Sequence, residues 1–180
     1  MLHRYLLCIE ASPEVAAMVE ACAEQLKDFI QRPRRTTAPV HLTLLLLDMP
    51  EELAPQLQAA IERGLKGVRP FTLHFDGITH FPDKRTIYAV PVEKDTFVEL
   101  ASAVLQEVRN VPAIDAYDPH ATDSPHLSIA TSLKPGQFER AWELLKSQPF
   151  VAAMKVNEIL LMERPLAPAS VYRSLGHYAL

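Results

Sequence analysis

The chain has 180 residues and a mass of 20.2 kDa, with 48% hydrophobic and 22% charged residues, enough for one core and short for two independent domains. No apolar run approaches the roughly 20 residues of a membrane span, and Tyr5 to Ile9 is interrupted by Glu10, so neither a membrane protein nor a secretory leader is expected. A net charge of −4, from 18 basic against 22 acidic residues, excludes the general positive field of a sequence-independent duplex binder; a nucleic acid would be held locally or at an end.

In chain order, an apolar strand is predicted at Arg4 to Ile9, followed by Ser12 and Pro13 as helix N-cap and first helical residue. The helix is expected to run to about Arg32, with Val15, Met18, Val19, Cys22, Leu26 and Phe29 at three- and four-residue steps and Pro33 ending it. Cys8 on the strand and Cys22 on the helix lack the C-x-x-C spacing of a metal or redox site, which fits a reducing cytoplasm. A strand from Val40 to Leu47 follows, then a helix from about Pro50 to Leu65 with Gly67 past its end, then a strand from Phe71 to Thr79. The order recurs with a strand at Arg85 to Val92, a helix at about Thr96 to Asn110, a strand at His126 to Thr131, a helix at Gln137 to Ser147 and a strand at Phe150 to Met162. Opening strands at Arg4 and Arg85, and middle strands at His41 and His126, give two halves of similar length, about 4–79 and 85–180. The whole reads as one pseudo-duplicated α+β domain with Val171 to Ala179 as an added last strand. The stretch Asn110 to Pro125, rich in proline and aspartate, reads as a surface loop, either a connector or a cover for a substrate.

The middle strands open alike, with His41-Leu42-Thr43-Leu44 and His126-Leu127-Ser128-Ile129, and Pro39 and Pro125 stand just upstream. Side chains alternate along a strand, so His41 shares a face with Thr43, and His126 with Ser128, while the leucines and isoleucine point into the other layer. If an approximate two-fold axis relates the halves, two imidazoles and two hydroxyls can face one cleft. That array suits a phosphodiester: displacement at phosphorus needs a base for the nucleophile and an acid for the leaving oxygen, and hydroxyls can donate to the non-bridging oxygens. A third match, His120-Ala121-Thr122, lies in the Pro/Asp-rich stretch without a strand pattern and reads as a decoy.

With these two motifs about 85 residues apart, the chain resembles the two-histidine (2H) phosphoesterase superfamily, which is defined by paired H-x-[ST]-hydrophobic motifs. Within it the chain looks most like the RNA 2′,3′-cyclic phosphodiesterases, historically called 2′-5′ RNA ligases. The resemblance implies a bilobal, pseudo-symmetric fold of two mainly antiparallel sheets, with outer helices, around a central cleft. It implies His41 and His126 as acid and base and Thr43 and Ser128 as phosphate-binding groups. It further implies hydrolysis of 2′,3′-cyclic phosphate ends of RNA, or of small cyclic or 2′-5′ nucleotides, without a metal or nucleotide cofactor. The sequence has five glycines, no G-x-x-x-x-G-K-[ST] loop and no H-E-x-x-H, which fits that last expectation.

Around the motifs, Arg32, Arg34 and Arg35, and Lys84 with Arg85, could hold phosphates or be solvated basic loops. Tyr88 could stack a base or pack in the core, and Tyr172, next to Arg173, could do either. His3, His74, His80 and His177 show no zinc-ligand spacing. No protein partner is evident. The alternatives to a phosphodiesterase are a nucleotide-binding module that keeps the cleft without turnover, and a scaffold in which the repeat is only architecture.

Overall fold

The computed structural model describes residues 1–30, 38–81, 83 and 85–180. The elements are β1 (Leu2–Glu10), α1 (Pro13–Glu24), β2 (His41–Pro50), a 3₁₀ turn (Glu51–Leu53), α2 (Ala54–Gly64), β3 (Phe71–Phe81), β4 (Thr86–Pro91) and α3 (Lys94–Arg109), then α4 (Pro112–Asp115), β5 (His120–Ala121), β6 (Leu127–Ala130), α5 (Pro135–Leu145), β7 (Val151–Val156), β8 (Glu158–Pro165) and β9 (Arg173–Ala179). Two sheets form, ordered β5-β2-β1-β8-β9 and β6-β4-β3-β7, and every neighbouring pair is antiparallel. The architecture is the expected α+β fold of two antiparallel sheets with helices.

The sheets do not divide where the sequence halves do. β3 lies beside β4 and β7, while β8 and β9 return to join β1. The helices cross over as well: α1, which follows β1, packs against β6 and β7, and α3, which follows β4, packs against β2. One apolar core therefore runs through both sheets, with Leu7, Ile9, Leu42 and Leu44 from the first and Leu73, Phe75, Ile87 and Leu127 from the second. Burying these side chains is the main stabilising term.

Three expectations need correction. The first helix ends at Glu24 rather than near Arg32, and hydrogen-bonded turns carry on to Ile30. There the backbone tightens to i→i−3 bonds, such as Leu26 N to Ala23 O at 3.1 Å and Lys27 N to Glu24 O at 3.2 Å, yet Leu26 and Ile30 stay buried. The apolar period reported burial, not the hydrogen-bond pattern that defines a helix. Arg32, Pro33, Arg34, Arg35 and Lys84 lie outside the described residues. The predicted strand Phe150 to Met162 is two strands in different sheets, β7 on β3 and β8 on β1, parted at Asn157, whose carbonyl accepts from the Leu180 amide at 2.9 Å. Finally, the stretch from Asn110 to Pro125 is not all loop. Pro112 opens the single turn α4, as proline can at a first helical position, and β5 pairs with β2 through Leu45–Ala121 and Leu46–His120.

Ser12 caps α1 as expected, its Oγ accepting from the Val15 amide at 3.4 Å, with Pro13 next. The β3 strand bends at a bulge between Phe75 and Ile78, where Gly77 adopts φ 86°, a conformation open to glycine at little cost.

Candidate active site

Register fixes which residues share the motif faces. In the first sheet Glu10 lies opposite His41, and Cys8 opposite both Thr43 and Leu160. Directly opposite residues point to the same side of a sheet, so Glu10, Cys8 and Leu160 lie on the face that carries His41 and Thr43. The alternate residues of β1, Tyr5, Leu7 and Ile9, enter the core. In the second sheet Ser128 lies opposite Tyr88, which itself faces Thr79. β2 and β6 belong to different sheets yet approach one another, which brings the two motif strands together. Leu42, Leu44, Leu127 and Ile129 are buried on the opposite side, as strand alternation predicts.

The two imidazoles are held alike. His41 Nδ1 is 2.7 Å from the Pro39 carbonyl, and His126 Nδ1 is 2.8 Å from the Ser124 carbonyl, in both cases two residues upstream. A carbonyl oxygen only accepts, so each Nδ1 carries the proton and each Nε2 is left for chemistry. Their surroundings otherwise differ. Burial pushes His41 below its ordinary value of 6.5, the Pro39 hydrogen bond and the Glu10 carboxylate oppose this, and His126 reinforces it. His126 stands against aromatic rings, with Phe81 at 5.2 Å and 89° and Tyr88 at 5.4 Å and 65° between ring centroids and planes.

The peripheral candidates fall in different places. Tyr88 is buried and stacks on Phe81 at 4.3 Å, and burial raises its phenol pKa; it packs beside His126, and Phe81 already covers one of its faces. Tyr172 packs on a small cluster of Leu6, Cys8, Leu160 and Met162, with the Arg164 guanidinium 5.3 Å from its ring centre. It thus lies on the same sheet face as Thr43. Arg173 does not. It pairs in register with Glu163, to which its guanidinium donates at 2.8 and 2.6 Å, and Glu163 lies opposite Tyr5 on the core-side face. The buried Glu163 carboxylate requires such a partner, so Arg173 has a structural task away from the motif face. Arg85 is exposed at the β3–β4 turn with φ 46°, its carbonyl accepting from the Leu133 amide at 3.2 Å. His120 sits on β5 opposite Leu46, exposed and 4.0 Å from Asp118.

Two residues not singled out from the sequence stand beside the histidines: Glu10 and Phe81. Glu10 ends the first strand, and the alternation Leu6, Cys8, Glu10 put it on one face with them; the register that sets it against His41 was not legible. Phe81 closes β3 next to the turn, and nothing in the local sequence ties it to His126. Among the described residues no group of three or more His, Cys, Asp or Glu is disposed to hold a metal ion, and no helix is long and apolar enough to cross a membrane.

Two antiparallel sheets, each offering one H-x-[ST] strand to the space between them, define the fold class of the two-histidine phosphoesterases. Solved structures share that fold over essentially the whole chain. Escherichia coli LigT complexed with 3′-AMP matches with a TM-score of 0.70 at 18% identity, covering 100% of this chain and 99% of that one. TT0787 of Thermus thermophilus matches at 0.66 and 24% identity, over 98% and 97%. Kluyveromyces marxianus Usb1 matches at 0.54 and 9% identity, over 97% and 98%. The family model described as the 2′-5′ RNA ligase superfamily matches residues 9–167, and the chain belongs to that superfamily. No curated protein sequence matches it. Membership assigns the chain to a superfamily of phosphoesterase- and ligase-type enzymes.

Proposed function

We propose that the protein is a metal-independent phosphodiesterase that opens 2′,3′-cyclic phosphate ends of RNA, or small cyclic or 2′-5′ nucleotides, with His41 and His126 as its acid–base pair. The observation that carries this reading is the matched anchoring of both imidazoles, Nδ1 to a carbonyl at 2.7 and 2.8 Å, with both Nε2 atoms left to exchange protons. A binding module has no need of two oriented titrating groups. One Nε2 takes a proton from water as its oxygen attacks phosphorus, and the other gives a proton to the departing ribose oxygen. Thr43 and Ser128, on the same faces as the histidines, donate hydrogen bonds to the non-bridging oxygens as their charge grows. A protein of the same fold, E. coli LigT, has been crystallised with 3′-AMP and with phosphate, which supports a nucleotide-phosphate substrate here.

The test is incubation of EDTA-treated protein with a nucleoside 2′,3′-cyclic phosphate and with a short RNA ending in one, resolving the 2′- and 3′-phosphate products. Wild type is expected to open the ring, and His41→Ala or His126→Ala to lose about 10²- to 10⁴-fold in kcat. Thr43→Ala and Ser128→Ala each remove one donor, for an expected loss of about 10²-fold. Nucleotide binding without product in the wild type would sink the hydrolase reading and favour a binding module.

A further inference from the structure

The two motifs are nearly symmetric in sequence, which makes acid and base exchangeable on paper, but their neighbours break the symmetry. Across β1 from His41 stands Glu10, an exposed carboxylate on the same face. The corresponding position across β4 from His126, one residue beyond the Ala89–Leu127 pair, is Val90. Opposite cross-strand residues carry their Cβ atoms about 5 Å apart, close enough for a carboxylate to act on an imidazole. His126 has instead two aromatic rings at 5.2 and 5.4 Å, surroundings that accept a cationic ring.

We propose that Glu10 is a positioning residue that stabilises the imidazolium formed when His41 accepts a proton, making His41 the base and His126 the acid. This rests on the reading of the two histidines as an acid–base pair. Among the described residues, the titratable groups that bear on His41 are Glu10, which ends β1, and His126, which stands just before β6. Burial and the neighbouring His126 favour the neutral form of His41, the form a base needs. As water attacks, an oxygen–phosphorus bond forms, the water proton passes to His41 Nε2, the bond from phosphorus to the ribose oxygen breaks, and His126 Nε2 gives its proton to that oxygen. His41 is then cationic, and Glu10 lies beside the new charge. The logic matches the carboxylate of a Ser-His-Asp triad, which stabilises an imidazolium without becoming protonated.

The experiment is an NMR titration of the histidine ring signals in wild type, Glu10→Gln and Glu10→Asp, paired with pH profiles of kcat/KM on a nucleoside 2′,3′-cyclic phosphate. In Glu10→Gln, His41 is expected to titrate at lower pH while His126 barely moves. The acid limb of the rate profile should follow His41 downward, because that limb reports the base of the free enzyme. The plateau should fall about tenfold, and Glu10→Asp should restore part of both. An unmoved His41 titration in folded Glu10→Gln overturns the proposal, whether or not the protein turns over. A shift of the alkaline limb in place of the acid one overturns the assignment of His41 as base. A shifted titration in a protein that opens no cyclic phosphate leaves the Glu10–His41 coupling standing and removes the functional reading beneath it.

Discussion

His41 links the site to the stability of the fold. Its imidazole is held below its ordinary value of 6.5 mainly by burial, so the unfolded chain binds a proton there more readily than the folded one. Stability gained by keeping the ring neutral is fully present above that ordinary value and is lost as pH falls from it toward the lowered value of the folded ring. Carboxylates such as Asp48, held low by Arg4 at 2.7 and 2.6 Å, make their contribution in a more acidic range. Urea midpoints taken from pH 7.5 to 5 should therefore fall more steeply for wild type than for His41→Gln; parallel slopes would remove the argument. Tyr88 supplies a second residue-scale test. Because it packs against Phe81 and His126, Tyr88→Phe should keep kcat within a few-fold of wild type. Tyr88→Ala should cost roughly 3–5 kcal/mol of stability, the usual range for a deleted buried aromatic, and should loosen His126 as well. A large loss of substrate affinity in Tyr88→Phe, with no change in stability, would return the hydroxyl to the substrate contacts.

At the scale of elements, the strands that carry the motifs were legible because His-x-Thr and His-x-Ser sit on a clean alternation, and α1 was legible from Ser12-Pro13 and its apolar stripe. What failed was what local pattern does not encode. The run from Phe150 to Met162 is apolar on both sides of Asn157, so nothing in its period says that one part joins β3 and the next joins β1. In the sequence Arg173 is only the neighbour of Tyr172 among possible substrate contacts; the strand register pairs it with Glu163 from ten residues away. The same register revealed Glu10. Another hidden constraint is the approach of α2 to α3 at Gly64, where a Cβ would lie 2.7 Å from the Val104 Cα. The neighbour is backbone and cannot swing away. Gly64→Ala is expected to push the helices apart and destabilise the protein by about 1–3 kcal/mol, measured by urea unfolding, with little change in kcat for the molecules that stay folded.

Across the whole molecule, the exchange of strands decides how the chain can be divided. An N-terminal fragment ending after β3 would leave β3 without β4 and β7, and β1 without β8 on one edge. Its apolar face would also lack α3, which packs on β2 from the other half of the sequence. Separately expressed halves are therefore expected to show no dispersed NMR spectrum alone and to gain one only when mixed. A well-folded N-terminal fragment would mean that the sequence repeat is a structural unit after all. The pairing of β1 with β8, across some 150 residues of chain, also places this protein among slow-folding topologies, since such loops close late and at an entropic cost.

The small strand β5 has a consequence for how the site could be retuned. The Thr122 amide bonds the Leu44 carbonyl at 3.0 Å on the strand that carries His41, and four residues later the chain delivers His126 to the other sheet. Those few residues act as a ruler laid between the two histidines, anchored at one end on one motif strand and ending on the other. Under the proposed function, their length bears on how far apart the two motif strands hold a phosphate's contacts. A glycine inserted between Asp123 and Ser124 would change that spacing without touching the core, so substrate size preference should shift while thermal stability stays close to wild type.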